Sequence, residues 1–311
     1  MSNVSEVISK YQSETDSSGR SLYSDRAQYY VPTNSFNAAP PKVPVHAFEK
    51  ERIEALRKDG GSTIITLDIS EQLGLSFPAT LPNVLARYIR LIAGEACTLD
   101  VEATSVVYYV ISGRGTSSFG NETLAWNQGD VFVLPGQTSA RHTPEQDALL
   151  YALTDEPFLD YMELSPRRNS PHTQAVLYTR EEIDRHLEIQ YSREANADDA
   201  GKAVIFSTNA TRSMGTTTPL LTVNVNTLPA GQDQRAHRHN PAALTLSVEG
   251  EGVHSVVDGT RVEWKDSGVL LTPPGALHSH HSRGTKQMRS IVVQDSGIFY
   301  HSRIIGFRFD D

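Results

Sequence analysis

The stretch "RAHRHNPAAL" sets His237 and His239 one residue apart, and a third histidine, His278, follows the turn Pro273-Pro274-Gly275. Alternate residues of a β-strand face the same side, so a strand through the pair presents both imidazoles to one point, which His278 can reach from a neighbouring strand. Three neutral imidazoles arranged this way form a site for a divalent transition metal. No acidic residue follows the pair before Glu249, so the ion would keep its full charge. His280 stands two residues beyond His278, on the same face if the strand continues. With an ordinary pKa near neutrality, it is a candidate to move a proton or contact a substrate hydroxyl in either of its forms.

Such convergence needs a rigid β frame, and the remaining sequence predicts one. The chain has 311 residues with 37 acidic and 28 basic side chains. No Lys/Arg block stands out, which disfavours a nucleic-acid partner. No run reaches the ~20 apolar residues of a membrane span, and "MSNVSEVISKYQSETDSSGR" has no apolar signal-peptide core. Cys97 is the single cysteine, so there is no internal disulfide, and a soluble cytoplasmic protein without a membrane partner is expected.

Residues 1–80 read as an extended Ser/Asn/Pro-rich arm followed by a short helix in "HAFEKERIEALRKDGG", capped at Gly60-Gly61. From 81 to 165 the chain turns to short apolar runs punctuated by Gly, Asn and Pro, the pattern of a β-sandwich or barrel. Residues 166–217 read as a helical linker. In it "LYTREEIDRHLEIQY" carries Thr179 and Glu182 in capping-box spacing, with Ile183, Leu187 and Ile189 near one face. The loop "SREANADDAGK" follows, and the β pattern returns over 218–311.

The two β segments are one pattern used twice. Gly94 matches Gly231 and Gly113 matches Gly250 at an offset of 137 residues; Trp126 matches Trp264 and Pro135 matches Pro273 at 138. The expected fold is all-β: two tandem barrels joined by short connecting helices.

The spacing of HxH, a following glycine turn and the later Pro-Gly-x-x-His resembles the cupin superfamily, whose barrel is a double-stranded β-helix, or jelly roll. Where cupins usually place a glutamate ligand, this chain has Ala243. The stretch "AHRHNPAALTLSVEGEG…VVDG…LLTPPGALHSH" is similar to the gentisate 1,2-dioxygenase-like bicupins, which also act on salicylate and 1-hydroxy-2-naphthoate. The resemblance implies an Fe(II) ion on His237, His239 and His278. It further implies a small aromatic acid and O2 as reactants, ring opening between the hydroxyl- and carboxyl-bearing carbons, and a homo-oligomer, a tetramer.

Relatives of this kind commonly carry an arginine for the substrate carboxylate where this chain has Thr245. A hydroxyl cannot replace a bidentate guanidinium, so the anchor is sought at Arg212, Gln234 or Arg235, ahead of the histidine pair. Arg238 should face away from the site, and Asn224 and Asn226 alternate on a strand that could line it. The first copy has Asp100, Glu102 and Ala140 in place of the three ligands and Val106 in place of Ala243, with His142 two residues off. A degenerate barrel kept for packing is expected there. The alternative function is a metal-dependent cupin lyase, isomerase or other oxygenase acting on a small organic acid; a non-catalytic binder is a third.

Overall fold

A computed structural model of the chain describes residues 22–27, 40–167, 174–193, 201–304 and 306–309. Most of the predicted N-terminal arm and of the loop "SREANADDAGK" lies outside the described residues. Among those described, no helix is long and apolar enough to cross a membrane.

Two antiparallel β-barrels follow one another. The first combines a six-stranded sheet, whose central strands are Ser105–Ser112, Ala148–Thr154 and Leu85–Leu91, with a four-stranded sheet containing Cys97–Leu99 and Ala140–Pro144. The second pairs a six-stranded sheet built around Ala243–Glu249, Met288–Gln294 and Thr222–Leu228 with a five-stranded sheet containing His237–His239 and His278–Ser282.

Leu85–Leu91 and Ala148–Thr154 are buried at every position, which the two-sided environment of their sheet explains. One face fills the first barrel, where Ile89, Tyr108, Phe132 and Trp126 form a closed apolar interior. The other face, with Tyr88, Val107 and Tyr151, joins Val223, Leu244, Leu271 and Val293 of the second barrel in a shared core. The six-stranded sheets thus pack against each other, and each fully buried aliphatic or aromatic side chain in that layer contributes roughly 1.5–3 kcal/mol.

The expected boundaries at 80/81, 165/166 and 217/218 do not coincide with the sheets. His46–Ala47, within the arm, pairs with Val269–Thr272 of the second barrel, and Thr63–Thr66 pairs with Leu85–Leu91 of the first. Within the linker, Val176–Tyr178 pairs with the first barrel and Lys202–Phe206 with the second. Open sheet edges expose unpaired N–H and C=O groups, and these four segments cover them. The helix expected in "HAFEKERIEALRKDGG" runs Glu49–Ala55, ending before Gly60. The linker helix is Arg180–Tyr191: Thr179 accepts the Glu182 N–H at 3.3 Å, Ile183 and Leu187 are buried, and Ile189 is exposed.

The duplication extends to buried polar anchors. Asp155 accepts the Thr104 N–H at 2.8 Å in the first barrel, as Asp295 accepts the Ala242 N–H at 2.9 Å in the second. Asp295 also accepts Asn83 Nδ2 at 2.8 Å, a hydrogen bond between the barrels. Burial raises the pKa of both carboxyls.

Candidate metal centre

His237 and His239 alternate on one strand, and the ladder sets His237 directly opposite His278. All three are buried, and one ring nitrogen from each lies within 4.8 Å of the others. His237 Nδ1 lies 3.0 Å from the Arg235 carbonyl, His239 Nδ1 2.7 Å from that of Pro241, and His278 Nδ1 2.9 Å from that of Ala276. A carbonyl only accepts, so each Nδ1 carries the proton and each Nε2 presents a lone pair. Burial keeps the rings neutral: it lowers His237 and takes His239 down to about 4 and His278 down to about 2. Fixed tautomer, neutral charge and convergent lone pairs fit a transition metal.

His280 is held by side chains instead of a carbonyl. Trp264 Nε1 donates to Ser255 Oγ at 2.7 Å, and Ser255 Oγ lies 2.8 Å from His280 Nδ1. The serine oxygen accepts the indole N–H and keeps both its own proton and a second lone pair for the contact with Nδ1. Burial pulls its pKa down to about 3. The expectation that His280 works in both protonation forms is therefore corrected: at neutral pH its ring is neutral.

These histidines stand in a cavity of about 380 Å³ whose lining includes Gln234, Thr245, Asn224, Asn226 and Gln294. Among the described residues that line it, none is a lysine, arginine or carboxylate. Ladder register explains why the second barrel is open and the first is not. Tyr108 faces Phe132 in the first barrel where Thr245 faces Leu270 in the second, and Val106 faces Leu134 where Ala243 faces Thr272. The tyrosine, valine and leucine fill the first interior; their smaller counterparts leave the second hollow.

Residues 224–294, which carry the three histidines, match the family Cupin_2, a cupin domain. The match covers most of the second barrel. Over 98 residues the chain is 35% identical to a 5-aminosalicylate 1,2-dioxygenase from a Comamonas species, covering 30% of this chain and 26% of that protein. Over 71 residues it is 34% identical to a gentisate 1,2-dioxygenase from a Ralstonia species, covering 23% and 20%. The matches therefore span about a quarter or less of these curated relatives. A salicylate 1,2-dioxygenase from Pseudaminobacter salicylatoxidans superposes with a TM-score of 0.74 at 16% identity, over 96% of this chain and 99% of its own. The likeness of fold covers both barrels.

Within the second barrel, Gln234, Thr245, Asn224 and Asn226 line the cavity as the sequence suggested. The backbone N–H of Gln234 donates to the His280 carbonyl at 2.8 Å, and Asn224 Nδ2 donates to Asn226 Oδ1 at 2.7 Å. Arg212 is corrected: it is exposed in the turn after Asn209 and is not among the lining residues, and neither is Arg235. Arg238 faces away, donating to the Gly275 carbonyl at 2.9 Å. Sequence reasoning missed Gln294, Thr272, Thr222 and the Trp264–Ser255–His280 relay. The relay had a signal, since Trp126, Ser117 and His142 repeat it 138 residues earlier, with 2.9 and 2.7 Å hydrogen bonds.

The first barrel also corrects the alignment of the ligands. Leu99 faces Ala140 there as His237 faces His278, so Leu99, Val101 and Ala140 occupy the ligand positions. Leu99 and Ala140 belong to the apolar interior, with Val101 packed against it. Asp100 and Glu102 are exposed, and Ser139 Oγ donates to Asp100 at 2.7 Å. Among the described residues, the one cluster suited to a metal is that of the second barrel.

His142 titrates in a predictable direction. Burial takes it from 6.5 down to about 4, so the unfolded chain binds more protons than the native one between these values. Its contribution to stability is full above pH 6.5 and is lost as pH falls toward 4, about 2 kcal/mol between 6.5 and 5. Urea unfolding at pH 7 and pH 5 should therefore show a smaller loss of stability in His142→Gln than in wild type; equal losses refute the assignment.

Proposed function

We propose that the protein is a ring-cleaving non-haem Fe(II) dioxygenase. It acts on a salicylate- or gentisate-type aromatic hydroxy acid, breaking the ring bond between the hydroxyl- and carboxyl-bearing carbons with both atoms of O2 entering the product. The observation that carries this reading is the set of three convergent, neutral Nε2 atoms with no acid beside them, at the wall of an uncharged cavity. The names of the relatives supply the reaction class, and the iron follows from the resemblance to the gentisate 1,2-dioxygenase-like bicupins, because three imidazoles alone also suit zinc and copper.

When bound, the metal supplies Lewis acidity and the redox chemistry of O2. His237, His239 and His278 would hold it through their Nε2 atoms, beside the cavity that would receive the hydroxyl and carboxylate of the acid. His280, its ring held in the cavity wall by Ser255 and Trp264, would contact an oxygen of the bound acid. The apolar lining, including Ile205, Val292 and Phe307, receives the ring and limits water, so the chain contributes mainly orientation. A cytoplasmic homotetramer completes the proposal; light scattering tests the tetramer.

Oxygen uptake by anaerobically iron-loaded protein, against gentisate, salicylate, ring-substituted salicylates and 1-hydroxy-2-naphthoate, is the direct test. Uptake equimolar with loss of one acid is expected. Bound iron with no uptake on any of them transfers the assignment to a redox-inert metal and a lyase or isomerase.

A further inference from the structure

Thr245 stands where the resemblance implies an arginine, and among the described residues that line the cavity none is a lysine or arginine, yet its wall carries a row of neutral donors. The ladder sets Thr222 opposite Gln294, Gln294 opposite Ala243, and Ala243 opposite Thr272. Residues paired across strands share a face, and all four line the cavity. Two features of this row are unexplained by packing. The hydroxyls of Thr222 and Thr272 are buried without a hydrogen-bond partner, at 4% and 1% exposure. A buried hydroxyl left this way is costly unless a ligand meets it.

The second feature is the direction of Gln294. Ser296 Oγ donates to its Oε1 at 3.2 Å, which turns the amide nitrogen to His239 Nε2, 3.1 Å away. That nitrogen atom of His239 is the one whose lone pair a metal takes, since its Nδ1 is committed to Pro241. The hydrogen bond therefore competes with metal binding, unlike the usual support a neighbour gives through the far ring nitrogen. Once the lone pair is taken, the amide N–H is released beside the coordination site.

We propose that Gln294 and Thr272 form the acid-binding subsite, a neutral replacement for a guanidinium. Strands lie about 4.8 Å apart, so these two residues flank a gap of two strand spacings over Ala243, whose side chain ends at its β-carbon. A carboxylate coordinated by one oxygen places the other in that gap, accepting from the Gln294 amide and the Thr272 hydroxyl. A second acid group on the ring would find no cation among the lining residues, so the subsite selects monoanionic hydroxy acids. Both residues are positioning residues, and the assignment rests on the proposed function.

The test uses the full chain loaded with Zn(II), which binds without turnover. Metal affinity is read by chelator competition, and salicylate affinity by calorimetry, for wild type, Gln294→Leu and Thr272→Val. Loss of one hydrogen bond to a carboxylate corresponds to about tenfold. Gln294→Leu should bind zinc as tightly as wild type or several-fold more tightly, and salicylate about tenfold more weakly. Thr272→Val should leave zinc unchanged and weaken salicylate by about fivefold to tenfold. Weaker zinc binding in Gln294→Leu would make the glutamine a ligand and overturn the assignment, as would salicylate bound by both variants as by wild type. A wild type that takes zinc but no salicylate refutes the function and the subsite together.

Discussion

Replacing His278 with alanine should lower metal affinity by about a thousandfold and leave no measurable oxygen uptake. Zinc on a full ligand set is worth roughly 10–16 kcal/mol, so one ligand of three corresponds to about 4 kcal/mol, or three powers of ten. His278 is the sharpest choice because it faces His237 on the adjacent strand, its ring centroid 4.3 Å from that of His237 and 4.6 Å from that of His239. Its removal widens a cavity that is already open, so the fold should survive. Metal content by atomic emission and melting by circular dichroism separate the two effects. A variant that keeps stoichiometric metal shows that His278 is not a ligand.

Replacing Thr245 with tyrosine should abolish ligand binding while sparing the metal. The substitution copies the first barrel, where Tyr108 occupies the matching ladder position and stacks on Phe132 with ring centroids 4.6 Å apart. In the second barrel the phenol ring would project into the substrate space. The three ligands lie on the other sheet, so their convergence is not disturbed. An aromatic acid should lose at least a hundredfold in affinity, about 3 kcal/mol, with an overpacking cost to stability of about 1–3 kcal/mol. Calorimetry on the zinc-loaded variant decides it: unchanged salicylate affinity would mean that the acid binds elsewhere.

The legible features were those set by local spacing. Thr179 caps its helix because the hydroxyl need reach only three residues along the chain. His237 and His239 share a face because strand periodicity forces it. Ladder register was another matter. Counting from Gly94 to Gly231 placed Asp100 and Glu102 at the ligand positions, whereas the strand pairing puts Leu99 opposite Ala140 and turns both acids outward. A shift of one residue on a strand exchanges its two faces, and glycine-to-glycine counting does not resolve single insertions between them. Arg212 failed for a related reason: nearness in sequence to the histidine pair does not bring it near in space.

By itself, the sequence determined the duplicated all-β architecture and the three histidines, because both repeat or alternate at periods fixed by backbone geometry. The tertiary structure decided what surrounds them. Carbonyls two residues away fix each ligand's Nδ1, Ser255 and Trp264 hold the ring of His280, and four strands align Thr222, Gln294, Ala243 and Thr272 into one row. It also decided which barrel is hollow, since the exchange of Tyr108 for Thr245 has meaning only when their facing partners are known. Such relations join residues far apart in the chain, and they exist only once the sheets close and burial makes every unpaired polar group costly.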